Sequence, residues 1–198
     1  TRALISIDRG LDISLKTLGP FYRCVCRDAP IATGSGSNSG GGSRGAGDGD
    51  GGGGRVLAVT NGFVVGAPFK LMHCDTLQVF TKGLKGSEGE RVRGALGLGL
   101  LLGGAVFAYG RSCGCRKAEI LAINDDDAWH ERLVRYYSYF GFRPVCKVGG
   151  NGLSDLPHML VWGGEGTRMD ADIDAMLAKW TPALRRTLRD GASAALRR

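Results

Sequence analysis

The seventeen residues GALGLGLLLGGAVFAYG, Gly94 to Gly110, carry no charge and lie between Arg93 and Arg111. Two kinds of structure bury such a run. Seventeen residues is the short end for a helix that crosses a bilayer, and Gly99 with Gly103 makes the G-x-x-x-G spacing of paired membrane helices. A helix lying on a sheet inside a folded domain buries the same side chains. Six glycines in the run weaken a membrane span, and the strand-like KAEILAIN, Lys117 to Asn124, follows after only a six-residue turn. The run therefore reads as a buried helix, and the domain as one in which helices pack on a sheet.

Upstream, FYRCVCR (Phe21 to Arg27), RVLAVTNGFVV (Arg55 to Val65) and LMHCDTLQVF (Leu71 to Phe80) are strand-like runs. Gly66, Ala67 and Pro68 break the second from the third and allow a hairpin return. Thr81 to Arg93 is polar and reads as a loop. Downstream, Asp125, Asp126 and Asp127 suit a helix start, where a carboxylate accepts from free amides and opposes the dipole. Trp129, Leu133, Val134, Tyr136, Tyr137 and Phe140 then recur at helical spacing, and Gly141 stops the helix. Pro144 to Val148 and His158 to Trp162 read as closing strands. Met169, Ile173, Met176, Leu177 and Trp180 line one face of a last helix. The order of elements predicts an α/β (α+β) fold, one mixed, mostly antiparallel sheet flanked by helices.

Glycine makes up 34 of the 198 residues, and twelve of the 34 fall between Gly34 and Gly54. The rest of the chain, with 43% hydrophobic residues overall, has the composition of a folded domain. We read one domain over residues 1–180, interrupted by a flexible Gly/Ser-rich insert at 33–54 and followed by a basic tail at 181–198. If the strands on either side of the insert pair, the insert is an enlarged hairpin loop. Loop closure entropy grows only logarithmically, so its length costs about 1 to 2 kcal/mol.

The formal charge is +7. Arg185, Arg186, Arg189, Arg197 and Arg198 against Asp190 place +4 of it at the C-terminus, which a solvated helix explains without a nucleic acid. Six cysteines include two C-x-C pairs, Cys24 with Cys26 and Cys113 with Cys115, but no further C-x-x-C or histidine pair completes a zinc set. Reduced structural thiols and no metal are expected.

Gly94, Gly97 and Gly99 open the apolar helix with backbone amides uncovered by side chains. Free amides and the positive end of the dipole there favour an anion such as a pyrophosphate. With the strand Lys117 to Asn124 and the helix ending YYSYFGF (Tyr136 to Phe142), these residues resemble the GCN5-related N-acetyltransferase superfamily. That family has a glycine-bearing loop opening a helix, then a strand, then a helix ending in a tyrosine four residues before G-F. The close resemblance covers residues 94 to 145, and the strand order extends it to about 21 to 165. Gly114 and Cys115 look like the family's end-of-helix turn. Gly97 and Gly99 fall on the last loop glycines, Arg93 stands one place before the loop's arginine position, and His130 stands where the family has an asparagine. The stretch from Gly114 to Val148 also looks like acetyltransferase-like proteins of green plants and algae, which implies a chloroplast or another organelle.

The resemblance implies an acyl-coenzyme A dependent N-acyltransferase that moves an acetyl group from acetyl-coenzyme A to an amine, with protein amines among the candidate acceptors. Tyr137 would protonate the departing thiolate, and Asp75 would act as base, with His73 as the other candidate on that strand. At most one of the two is expected to face the substrate. Val79, Arg93, Gly94, Gly97, Leu98, Gly99 and His130 would contact the cofactor. Two alternatives stand beside this: a degenerate domain of the same fold that binds or assembles in an organelle, and a small membrane protein anchored by Gly94 to Gly110. Nucleic acid and membrane are not the expected partners.

Overall fold

A strand that turns polar groups to its neighbours and alternate side chains to a core needs partners on both edges, and here the chain supplies them in sequence. In the computed structural model, which describes residues 2–7, 11–28, 54–80, 95–149 and 162–195, the first five strands form an antiparallel meander. These are β1 (Arg2–Ile7), β2 (Leu11–Leu18), β3 (Phe21–Asp28), β4 (Val56–Val65) and β5 (Leu71–Val79). Helix α1 (Ala95–Ser112) then returns the chain so that β6 (Lys117–Ile123) pairs with β5 in parallel. Helix α2 (Asp127–Phe140), β7 (Arg143–Val148), β8 (Gly166–Asp172) and α3 (Ile173–Ala195) complete the chain. The described sheet has the order β1-β2-β3-β4-β5-β6-β8-β7, and β5–β6 is its one parallel pair. The fold is the mixed, mostly antiparallel sheet flanked by helices that the sequence predicts.

Local chemistry sets the boundaries of the helices. Asp126 caps α2 by accepting the Trp129 amide at 2.9 Å, and Gly141, at φ 119°, ends it with amide bonds back to Ser138 and Tyr137. Gly114, at φ 80°, does the same for α1, after which the Cys115 amide bonds back to the Gly110 carbonyl at 2.9 Å. α1 is a buried helix on the sheet: Leu98, Leu102 and Val106 join Cys24, Cys26 and Met72 of the strands, Tyr137 and Phe140 of α2, and Ile173 and Met176 of α3 in one hydrophobic cluster. No described helix is long and apolar enough to cross a membrane. β3 and β4 pair, and the Asp28 amide reaches the Arg55 carbonyl at 3.0 Å, so the hairpin closes where the glycine-rich insert leaves it. Most of the insert lies outside the described residues.

Two expectations need correction. The second closing strand is β8, Gly166–Asp172, and Met169 is the buried residue at its centre rather than part of the last helix. Residues 158–161 lie outside the described residues, and Trp162 belongs to no strand. The boundary drawn at residue 180 also falls inside α3, which runs across it with Pro182 within the helix. Leu184 packs on α1 there, 2.7 Å from where a Cβ on Gly104 would stand.

Candidate active site

β5 and β6 share a ladder over four residues only, Leu71↔Lys117 to Cys74↔Ile120. Beyond that point β5 continues to Val79 paired with β4 alone, and β6 continues to Ile123 paired with β8 alone. The two strands therefore part. A cleft of about 630 Å³ lies between α2 and the end of β5 that is unpaired on its β6 side, walled by Leu77, Gln78, Val79 and Phe80 on one side and by Trp129, Arg132, Leu133, Tyr136 and Tyr137 on the other. The α2 residues stand at i, i+3, i+4, i+7 and i+8, so a single helix face makes that wall.

A β-bulge marks the point of parting. Gly62 pairs with Cys74 and Asn61 with Thr76, which leaves Asp75 without a cross-strand partner. Gly62 is required by close approach: a Cβ on it would stand 2.0 Å from the His73 carbonyl oxygen and 2.5 Å from the Tyr22 hydroxyl. His73 and Asp75, two apart, would share a face in a regular strand. Their surroundings instead differ completely. Asp75 is exposed and accepts the Thr76 hydroxyl at 3.1 Å. His73 is 1% exposed, stacked on Phe63 with centroids 4.5 Å apart and covered on its other side by Trp162, tilted at 40° with centroids 4.2 Å apart. Its Nδ1 meets Glu119 Oε1 at 3.0 Å, and Glu119 Oε2 meets Arg168 at 3.0 Å. Arg168 continues to Asp170, and Asp170 to Lys117, in a polar chain across β5, β6 and β8. Of the two candidate bases, only Asp75 is open to solvent.

Tyr137 lies at the inner end of the cleft, 8% exposed, with its ring set against Tyr136 and Phe142. Burial, with smaller effects from Tyr136 and Cys74, pushes its hydroxyl up to about 12. It therefore keeps its proton throughout the neutral range and can donate a hydrogen bond. Cys74 faces the same inner region, its thiol pushed up to about 11 by burial and its sulfur 3.5 Å from the Tyr22 hydroxyl. That environment holds the thiol protonated and makes it a poor nucleophile. All six cysteines are unpaired thiols, and four of them (Cys24, Cys26, Cys74 and Cys115) are buried. Among the described residues no three His, Cys, Asp or Glu side chains gather as metal ligands.

The predicted cofactor residues divide. Val79 lines the cleft. Gly97 is in the first turn of α1, where amides lack an intrahelical partner, and that turn carries no acidic side chain. Gly99 is one residue beyond the four free amides. Its missing side chain admits the Tyr136 hydroxyl, which would stand 2.5 Å from a Cβ there, so it brings α1 and α2 together. The Leu98 side chain is wholly buried in the core. His130 turns from the cleft and places Nε2 3.0 Å from the Thr167 hydroxyl of β8. Arg93, Gly94 and His158 lie outside the described residues. Trp129, Arg132, Tyr136 and Phe80 were not anticipated as part of the site. A sequence signal was present only for Trp129, Tyr136 and Phe80, as aromatics on α2 and at the strand end.

No family model matches the chain, and no curated protein matches it. Among solved structures it is similar to the spermidine N-acetyltransferase of Vibrio cholerae in complex with coenzyme A and spermine, at 10% identity and TM-score 0.44 over 80% of this chain and 69% of that one. It is similar also to a Bacillus subtilis acetyltransferase in complex with coenzyme A, at 13% identity and TM-score 0.41 over 78% of each chain. A third is nourseothricin acetyltransferase, at 12% identity and TM-score 0.44 over 82% of this chain and 72% of that one.

Proposed function

We propose that this chain is an acyl-coenzyme A dependent N-acyltransferase of the GCN5-related kind, with acetyl-coenzyme A as donor and an amine as acceptor. One observation carries the reading: β5 and β6 part directly after a bulge, beside the start of α1, and the opening ends on a buried, protonated tyrosine. A parted parallel pair leaves backbone amides and carbonyls of β5 without a strand partner, and an extended pantetheine-like arm carries the groups to satisfy them. The first turn of α1, containing Gly97, supplies free amides for the phosphates. Arg132 adds a cation on the opposite wall.

In the reaction the neutral amine attacks the thioester carbonyl carbon. The C–N bond forms and the C–S bond breaks, and the amine's proton passes to Asp75 directly or through water. The departing sulfur takes its electron pair and leaves as a thiolate that accepts a hydrogen bond from the Tyr137 hydroxyl, and a proton from solvent completes the thiol, so that Tyr137 ends the cycle protonated. A hydroxyl pushed up to about 12 stabilises the thiolate chiefly as a donor, since full proton transfer from it to a thiolate runs uphill. A second reading keeps the cleft but not the turnover. It is favoured by His130, which occupies the family's asparagine position yet bonds to Thr167.

Acetyl-coenzyme A titration followed by thermal unfolding tests the first reading. Ligand at a hundred times Kd adds about 2.7 kcal/mol and raises Tm. No shift at millimolar ligand overturns both readings. A shift without thiol release in the presence of mixed amines leaves the second.

A further inference from the structure

The two ends of the sheet are built differently. β7 forms one end, and three features keep its outer edge from pairing: Pro144 has no N–H, a bulge interrupts the strand between Pro144 and Cys146, and Arg143 and Lys147 add charge. β1 forms the other end with RALISI, which has no proline, no lysine and a single charge, Arg2, at its start. Its ladder to β2 runs without a break from Arg2↔Lys16 to Ile7↔Leu11. Among the described residues no strand pairs with its outer edge. An edge that regular holds a row of backbone N–H and C=O groups in line for another strand, and sheet proteins ordinarily blunt such an edge. The edge of β1 is left open to pairing.

We propose that the outer edge of β1 pairs antiparallel with β1 of a second copy of this chain, about a two-fold axis at Ile5. Charge selects both the edge and the register. The chain carries +7, so copies approach where their cations do not oppose one another. With Ile5 opposite Ile5, Ala3 stands opposite Ile7 and Leu4 opposite Ser6, and the two Arg2 residues fall at opposite ends of the ladder, about 20 Å apart along it. That exceeds the screening length of about 8 Å at physiological salt. The equivalent pair of β7 strands, centred on Val145, would set Arg143 opposite Lys147 twice. The apolar positions agree with the same pairing. Positions 5 and 7 are in register with Ile13 and Leu11 of β2, both buried in the core, so the row of apolar positions runs on through β1 to the second copy. A two-fold axis normal to the sheet closes the pair as a dimer and leaves the helices of both copies on one side. Six residues a side is far fewer than the about 20 to 30 of a stable interface, so the dimer forms and dissociates with concentration.

Sedimentation equilibrium of the chain from about 1 to 500 µM tests the pairing on wild type and two double variants. Leu4→Lys with Ser6→Lys sets lysine opposite lysine twice across the axis, and Leu4→Lys with Ser6→Glu sets lysine opposite glutamate twice. Within one copy position 6 pairs with Asp12, so lysine there suits the single chain and glutamate opposes it. Those effects on folding run opposite to the effects on the dimer, so a destabilised variant cannot imitate the expected order. Wild type should pass from monomer to dimer over this range. The first variant should dimerise at least about tenfold more weakly than wild type, and the second at least as tightly. Wild type that stays monomeric at the highest concentration, a mass that climbs past the dimer, or two variants that dimerise alike overturns the proposal.

Discussion

The two halves of β5 differ in pairing and in what surrounds them. From Leu71 to Cys74 the strand is paired on both edges, and His73 is sealed between Phe63 and Trp162 and tied through Glu119 to Arg168. From Thr76 to Val79 it is paired on one edge, and Leu77, Gln78 and Val79 border the cleft. Asp75, the bulged residue, is the frontier. The closed half contributes stability, while the open half leaves backbone groups and apolar side chains available to a ligand. Loss at the first should be read in unfolding, and loss at the second in binding and turnover.

The largest effect expected of a single change is at the closed half. Glu119→Ala leaves His73 without its partner and Arg168 with Asp170 alone, and should cost about 3 kcal/mol in urea unfolding. A loss below about 0.5 kcal/mol would mean that the polar chain is incidental. At the open half, Tyr137→Phe should reduce turnover about 10²-fold with coenzyme A affinity held, and Asp75→Asn should do the same. Stability should stay nearly constant in the second, because Asp75 is exposed. The pH profile of the wild type tests the role of Tyr137 by itself. The Tyr137 hydroxyl is needed in its protonated form, which persists below a pKa of about 12, so the wild-type rate should rise as the amine loses its proton and show no alkaline fall below about pH 11. A fall beginning near pH 9 would exclude Tyr137 as the donor. A smaller effect is expected of Gly99→Ala, which crowds the Tyr136 hydroxyl and should cost about 1 to 2 kcal/mol while loosening the cleft wall. Unchanged Tm and unchanged affinity would show that α1 and α2 are not held together there.

What the sequence revealed follows the same division. β3, β4, β5 and β6 were legible because their buried residues repeat or run together, and α2 because Asp126 and Gly141 bracket it. β2 alternates Leu11, Ile13 and Leu15 just as plainly, and the expectation that the sheet starts at Phe21 passed over it. β8 was not legible: Thr167, Arg168 and Asp170 look like a polar loop until Glu119 and Lys117 are seen beside them, and the apolar HMLVW segment drew the assignment instead. In the site, Tyr137 and Val79 were assigned by the family resemblance, and both border the cleft. The other wall residues could not be placed, because their role depends on how α2 is turned against the end of β5. His130 shows how sharp that dependence is. It lies next in the chain to Trp129, yet the step of one residue on the helix carries it from the cleft to Thr167.

Hydrogen exchange with and without coenzyme A tests the contrast most directly. The account predicts added protection at residues 76–80, 95–99 and 129–137 and none at residues 71–74, which are already closed by their ladder. Protection confined to other segments, or none at millimolar coenzyme A, would contradict it.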